Sequence, residues 1–298
     1  MFPKVSICIP VFNGEQTIMR AVNSALNQTY SNLEIIIVDN CSTDNTLDLI
    51  LNKFQNRIKI IQREKNFGML NNFLFVVENA TGEYTITMGA DDELSSDCID
   101  KLVKVILKNN SNAAFCKSLR IENSHQKIIA FQEHNSIKEL IRAVCSNEKI
   151  NYLICGLWEK KVYYETFKKL DPKLAVRGSS SDRLFVFFAL FVFGIKYSLS
   201  SDILYYKYYQ QNIKREGSIH LTANLLSIAQ CINMILKTDK KLLLFSQFFP
   251  RWFCFQTKSM GKKPFVRIRI LFINWLKKRI SREKIQQLKK KLQDLNII

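Results

Sequence analysis

Carboxylate side chains follow two early apolar segments of this 298-residue chain, at the points where predicted strands end. Asp39 follows residues 33–38, and Asp91 and Asp92 follow residues 84–88. Because ligands bind beyond the carboxyl ends of parallel strands, the two segments can aim these side chains into one crevice. Adjacent aspartates repel each other unless a cation lies nearby, and a hard divalent ion can bridge carboxylate and phosphate oxygens. The spacing therefore favours a site for a nucleotide diphosphate and a metal.

Strands and helices are predicted to alternate through the first ninety residues. The predicted order is strand 5–12, helix 15–26, strand 33–38, helix 42–54, strand 58–61, helix 66–79 and strand 84–88. This alternation predicts a right-handed, doubly wound α/β sheet. Further along the chain, the pattern indicates a helix at 102–107, a hairpin at 113–121 and 127–131, a buried helix at 183–193, and strands at 195–197 and 203–209.

The composition is that of an ordinary globular protein, with 47% hydrophobic residues. The eight cysteines are scattered and form no CxxC pattern, so we interpret them as reduced core residues of a cytoplasmic protein rather than as zinc or redox sites. We find no targeting segment. The longest uncharged apolar run, Leu184–Phe193, is too short for a spanning helix, which argues against a polytopic membrane protein.

The net charge of +18 is concentrated near the C-terminus. From Lys240 onward, 16 lysines and arginines face two acidic residues, which gives +14. We therefore divide the chain into a catalytic domain at 1–216 and a helical, basic region at 217–298. Segments 248–253 and 265–279 interleave large apolar residues with cations, which is typical of a surface that binds an anionic membrane. The alternative is a solvated basic face that packs on the domain. Nucleic-acid binding is not expected, because no recognised module accompanies the charge.

Several segments together resemble the nucleotide-binding start of the family 2 glycosyltransferases, which have the GT-A fold. The segments are Val5–Asn13, Gln28–Tyr30, Glu34–Thr46, Asn66-x-Gly68, Gly82–Tyr84 and Ala90–Asp92, in the family's order and spacing. The resemblance covers roughly residues 4–220. It implies a GT-A (Rossmann-like) mixed sheet, a nucleotide-sugar donor, and Mn²⁺ or Mg²⁺ as cofactor.

The resemblance also implies roles for the residues at these strand ends. Asp39 would accept the N3–H of uracil, Asp91 would hold the ribose, and Asp92 would bind the metal. The remaining donor-binding residues implied near them are Pro10, Phe12, Glu15 and Asn66. The alternatives are helix capping for Asp39, a cap formed by residues 91–93, and a core position for Phe12.

Two departures from the family pattern concern the charge of the diphosphate. Gly89 stands where many relatives carry a further aspartate, and residues 71–73 lack the arginine that relatives present to the diphosphate. We therefore expect the metal and a later loop, residues 214–220, to balance this charge. In that loop, Arg215 would contact the phosphates and His220 the phosphates or the metal, although a lone histidine is more often structural.

The catalytic base is expected in a Gly- and Ser-rich stretch, residues 178–184, that precedes the predicted helix 183–193. The family has a Glu-Asp pair there, and this chain has Ser181 and Asp182. Asp182 would deprotonate the acceptor hydroxyl, and a helix N-terminus would keep it ionised. The alternative is that Asp182 only caps the helix. Trp158 either receives the acceptor sugar or lies in the core.

The sequence thus predicts an inverting, metal-dependent glycosyltransferase (a hexosyl- or hexosaminyltransferase) that uses a UDP-sugar. We expect a saccharide acceptor, lipid-linked at the inner membrane face, as in lipopolysaccharide or another surface glycan. One alternative is an inactive, membrane-recruited sugar-binding protein. A sugar nucleotidyltransferase is the other, but it would need a Gly- and Lys-rich phosphate loop after the first strand, which residues 11–15 lack.

Overall fold

The computed structural model describes residues 2–54, 57–122, 125–131, 154–168, 185, 189 and 195–209. All of them belong to one compact unit, comprising residues 1–133 and 148–219. The predicted boundary at 216/217 and the predicted basic helices after it lie outside the described residues. They remain predictions.

The described part of the chain contains nine strands and five helices. The strands are β1 (Val5–Val11), β2 (Leu33–Asp39), β3 (Lys59–Gln62), β4 (Tyr84–Thr87), β5 (Asp92–Leu94), β6 (Ala113–Glu122), β7 (His125–Ile129), β8 (Leu157–Glu159) and β9 (Tyr197–Tyr209). The helices are α1 (Ile18–Leu26), α2 (Thr46–Phe54), α3 (Met69–Glu78), α4 (Cys98–Asn109) and α5 (Lys160–Lys168).

The described strands form one mixed sheet in the order β3-β2-β1-β4-β8-β6-β9-β5, and β7 pairs with β6. The first four, β1 to β4, pair in parallel with one another. Every residue of β1 is buried, as expected for a parallel strand that is covered on both faces. The sequence therefore predicted this half of the sheet correctly, with ends that differ by a few residues.

The second half of the sheet differs from the prediction in two places. Residues 92–94 form the short strand β5, which pairs antiparallel with β9, and this strand includes two of the three residues 91–93 that we considered as a helix cap. The two strands predicted at 195–197 and 203–209 form one continuous strand, β9, which also pairs in parallel with β6. As a result, β9 lies beside the residues that follow β4.

An aromatic cluster packs around Trp158 of β8. Trp158 is fully buried and stacks edge-on against Phe115 and Phe185, with ring centroids 5.1 and 5.2 Å apart. The ring centroid of Phe185 also lies 4.8 Å from that of Tyr163 and 4.7 Å from that of Phe167. Trp158 therefore belongs to the core, and the cluster fixes the position of Phe185.

None of the helices in the described residues is both long enough and apolar enough to cross a membrane.

Candidate functional site

The loops after β1 and β2 are hydrogen-bonded to each other at the carboxyl edge of the sheet. The backbone N–H of Asn13 donates to Ser42 Oγ at 2.9 Å, and that of Gly14 donates to Thr46 Oγ1 at 2.7 Å. In return, Asn13 Oδ1 accepts the N–H of Thr43 at 2.8 Å. Both loops contain a residue with positive φ, Asn13 at 52° and Cys41 at 63°. These bonds hold two tightly bent loops in one arrangement.

Asp39 is fully buried where β2 ends. Its Oδ2 accepts the backbone N–H of Ser42 at 3.1 Å, and its Oδ1 accepts the hydroxyl of the same residue. Asp39 thus shapes the loop that precedes α2, whereas Asp44 accepts the N–H of Thr46, the first residue of that helix. Each carboxylate oxygen has two acceptor positions, so Asp39 retains the capacity to accept one more N–H group.

The other residues predicted beside the base have different surroundings. Pro10 is buried within β1 and faces Val38 of β2, so it is part of the sheet. Phe12 is 44% exposed, which excludes the core position that we considered for it. The Oε2 of Glu15 accepts the backbone N–H of Asn45 at 3.0 Å and its amide at 3.1 Å. Glu15 therefore joins the two loops, and Phe12 offers an exposed aromatic face beside them.

Asn66 organises the loop that precedes α3. Its Oδ1 accepts the N–H of Gly68 and the amide of Asn40, each at 2.8 Å. Gly68 has a φ of 84°, a conformation that favours glycine. Asn40 is buried directly after Asp39 and also accepts the N–H of Phe67 at 3.1 Å. Asn66 thus ties the loop after β3 to the end of β2.

The loop after β4 reaches the same edge of the sheet. Met88 N–H donates to the carbonyl of Cys8 in β1 at 2.9 Å. A Cβ on Gly14, in the loop after β1, would lie 3.6 Å from the Cβ of Ala90. The loops after β1, β2 and β4 therefore adjoin one another, as expected for a ligand site in this class of sheet.

The carboxylates of Asp91 and Asp92, which we call the acidic pair, both turn toward Gly89. A Cβ on Gly89 would lie 2.6 Å from Asp91 Oδ1 and 2.8 Å from Asp92 Oδ2. Asp92 is buried, whereas part of Asp91 is exposed. Packing that removes water from Asp91, together with the charge of Asp92, raises the pKa of the Asp91 carboxyl. The acidic pair thus has the electrostatic strain of two like charges held close together.

Strand β9 supplies a cation to the acidic pair. Lys207 Nζ lies 3.2 Å from Asp92 Oδ2, and the hydroxyl of Tyr205 donates to the same oxygen at 2.8 Å. Burial and the charge of Asp92 raise the pKa of Tyr205 well above its ordinary value, so the phenol remains a donor. Our sequence analysis missed both residues. Their two-residue spacing places them on one face of β9, but only the pairing with β5 brings that face to Asp92.

A second contact holds the backbone of the acidic pair. Arg20 of α1 donates from Nη2 to the carbonyl of Asp91 at 2.8 Å, and its guanidinium lies 3.7 Å from the ring centre of Tyr208. Tyr208 in turn donates to Glu93 at 2.7 Å. The acidic pair is therefore held by residues of α1 and β9 that also contact each other.

The donor atoms of the acidic pair suit a hard divalent ion, because they are carboxylate oxygens that converge on one point. Across the described ranges, no group of three His, Cys, Asp or Glu residues has metal-binding geometry. The predicted residues Asp182, Arg215 and His220 lie outside those ranges. The chemistry of the two carboxylates thus fits a divalent ion that binds through oxygen atoms.

The sequence matches one protein family. Residues 6–158, just over half of the chain, match the model of glycosyl transferase family 2. An "Uncharacterized glycosyltransferase" of Haemophilus influenzae is 37% identical over 121 residues, which cover 40% of this chain and 38% of that protein. The Escherichia coli "UDP-Glc:alpha-D-GlcNAc-diphosphoundecaprenol beta-1,3-glucosyltransferase WfgD" is 32% identical over 106 residues, 36% of this chain and 42% of that protein. The chain thus spans less than half the length of these two relatives.

The fold has a clear structural counterpart. The crystal structure of S. aureus TarS 1-349 in complex with UDP superposes with a TM-score of 0.64 and 20% sequence identity, covering 88% of this chain and 76% of that chain. The likeness confirms the predicted GT-A fold.

Proposed function

Because this chain belongs to glycosyl transferase family 2, we propose that it is an inverting, metal-dependent glycosyltransferase that uses a UDP-sugar. The observation that carries this proposal is the meeting of the loops after β1, β2 and β4 at one edge of the sheet. That edge holds Asp39 at one position and the acidic pair at another. Support for UDP as the nucleotide comes from TarS, whose structure was determined with UDP.

In this proposal, residues of the loops after β1, β2, β3 and β4 bind the nucleotide. Asp39 accepts the N3–H of uracil, and the exposed ring of Phe12 packs on the base. Glu15 and Asn66 contribute by holding the loops, as their hydrogen bonds to Asn45 and Gly68 indicate. Asp91 contacts the ribose.

The diphosphate lies at the acidic pair in this proposal. Asp92, with His220 as a second ligand, would hold Mn²⁺ or Mg²⁺, and Arg215 would contact the phosphates. When bound, such an ion offsets the negative charge that the departing diphosphate acquires. Asp182 removes the proton of the acceptor hydroxyl as its oxygen attacks the anomeric carbon. One bond forms as the bond to the diphosphate breaks on the opposite face, so the configuration inverts.

The acceptor that we propose is a saccharide linked to a lipid, in the synthesis of a surface glycan. WfgD, whose name includes GlcNAc-diphosphoundecaprenol, supports this class of acceptor. The charge of the last 59 residues, with 16 cations against two acids, supports attachment to an anionic membrane. Both observations support our proposal that the protein is attached peripherally to the cytoplasmic face of the inner membrane.

The nucleotide assignment is tested by measuring UDP binding to the wild type and to the Asp39→Asn variant, with Mn²⁺ present. We expect the wild type to bind UDP and the variant to bind about tenfold more weakly or worse, because a hydrogen bond to a charged group contributes about 1.5–3 kcal/mol. Asp48→Asn is the matched control, since it makes the same change at an exposed carboxylate of α2 and should keep the wild-type affinity for UDP. Equal UDP affinity in wild type and Asp39→Asn would show that Asp39 only shapes its loop.

The membrane proposal is tested with vesicles that contain an anionic phospholipid. We expect the full chain to sediment with them, and the triple replacement of Arg267, Arg269 and Lys277 by glutamine to lower this partition about 100-fold, since each cation near such a surface contributes about 1 kcal/mol. The control replaces three lysines of α4 by glutamine, Lys101, Lys104 and Lys108. If both triple variants sediment like the wild type, the basic C-terminal segment does not recruit the protein.

A further inference from the structure

Among the described residues, Lys207 is the one cation that forms an ion pair with a carboxylate of the acidic pair. Its ammonium lies 3.2 Å from Asp92 Oδ2, and the side chains of Lys207 and Asp92 are only 19% and 6% exposed. The charge of Lys207 also lowers the pKa of Asp91, which places it within electrostatic reach of both carboxylates. Lys207 therefore interacts with the whole pair from a site that is largely shielded from water.

The charge balance at this position is unusual for a divalent-ion site. Two carboxylates face a point next to Gly89, which itself contributes no side chain. One ammonium already compensates part of their charge, and the hydroxyl of Tyr205 takes another acceptor position on Asp92 Oδ2. Arg20, bonded to the carbonyl of Asp91, offsets a further part, so a dication that approaches this site meets two carboxylates whose charge is already largely balanced. Its attraction to the ligand-free site is therefore reduced.

We propose that Lys207 is a resident cation of the donor site that makes divalent-ion binding depend on the nucleotide. Without nucleotide, Lys207 neutralises part of the acidic pair, and the site binds a divalent ion weakly. A nucleoside diphosphate adds negative charge and phosphate oxygens, which restore the attraction. The inference rests on the proposed function, because it assumes that the metal and the diphosphate meet at Asp92.

A purely structural role for Lys207 makes a different prediction. If Lys207 only joined β9 to β5, removing its charge would lower the stability of the protein and would leave the affinity for metal unchanged or lower. As a resident cation, Lys207 opposes the metal, so removing its charge raises the affinity. The affinity for Mn²⁺ without nucleotide therefore separates the two roles, and it needs no measurement of activity.

The test is the binding of Mn²⁺, followed by electron paramagnetic resonance, to the full chain with and without UDP. Without UDP, we expect Lys207→Met to bind Mn²⁺ about tenfold more tightly than the wild type. Lys207→Arg, which keeps the charge, should bind as weakly as the wild type. Lys104→Met is the matched control, because Lys104 pairs with Asp100 on the surface of α4. With UDP, the wild type and Lys207→Met should differ much less.

Thermal unfolding of each variant shows whether it is folded. If the methionine variant does not fold, Lys207→Gln replaces it, because glutamine removes the charge and keeps a hydrogen-bond donor. Both proteins must first be shown to bind Mn²⁺ in the presence of UDP. If the charge-free variant and the wild type then have equal affinity for Mn²⁺ without UDP, the proposed role of Lys207 is overturned. If neither protein binds Mn²⁺ even with UDP, the proposed metal site is wrong, and the inference is overturned with it.

Discussion

Replacement of Asp92 by asparagine is expected to lower kcat/KM for sugar transfer about 1000-fold. The variant keeps the shape of the side chain and an acceptor for Tyr205, but it removes the charge that faces Lys207 and the proposed metal. Charge stabilisation by a metal contributes several kcal/mol, and each ~1.4 kcal/mol corresponds to a tenfold change in rate. The measurement is release of UDP from a UDP-sugar with acceptor present, and EDTA should reduce the wild-type rate to a similar extent.

The control for this experiment is Asp100→Asn, because Asp100 also pairs with a lysine, but on the surface of α4. It should retain the wild-type rate. Thermal unfolding of Asp92→Asn is needed as well, since Asp92 is buried and its charge compensates Lys207. A folded Asp92→Asn variant that keeps more than a tenth of the wild-type rate would contradict the proposed role of the acidic pair.

Replacement of Asp182 by asparagine is expected to lower kcat by about 10²- to 10⁴-fold, which is the range for loss of a general base. Asp182 lies outside the described residues, so its proposed role rests on the family resemblance of residues 178–184.

Two measurements distinguish loss of a base from loss of structure. The affinity of Asp182→Asn for UDP should equal that of the wild type, and the acidic limb of the pH–rate profile, where a base becomes protonated, should disappear. Asp202→Asn, a change in β9 at a carboxylate that contacts Lys101 at 3.6 Å, is the control. Weaker binding of UDP to Asp182→Asn, or an unchanged acidic limb, would contradict the assignment.

The parallel half of the fold could be predicted because its pattern is local. Strands β1, β2 and β4 are apolar segments that end abruptly at polar loops, and Asp44 caps α2 as the polar residues 42–44 predict. The exposure of Phe12 and the burial of Trp158 could not be predicted, because an aromatic residue has the same pattern in a core and at a binding surface. Only the packing of other elements distinguishes the two positions.

The contacts of the acidic pair could not be predicted for a different reason. Strand β5 has three residues, two of them acidic, so no hydrophobic period identifies it. Its partner residues are more than a hundred positions away, and the pairing of Asp92 with Lys207 follows only from the register of β5 on β9. A residue whose role is implied by a family resemblance can be found from a single sequence. A residue such as Lys207, which acts through a distant strand, requires the structure.

The hydrogen bonds between the loops after β1 and β2 also bear on how a nucleotide would bind. Asn13, Gly14 and Glu15 are joined to residues 42–46 by backbone and side-chain bonds that involve no ligand. The walls of the proposed uracil pocket are thus preorganised, and little loop entropy remains to be lost on association. Substitutions at Asp44 or Thr46, which lie outside that pocket, should therefore loosen it by releasing the loop that carries Phe12.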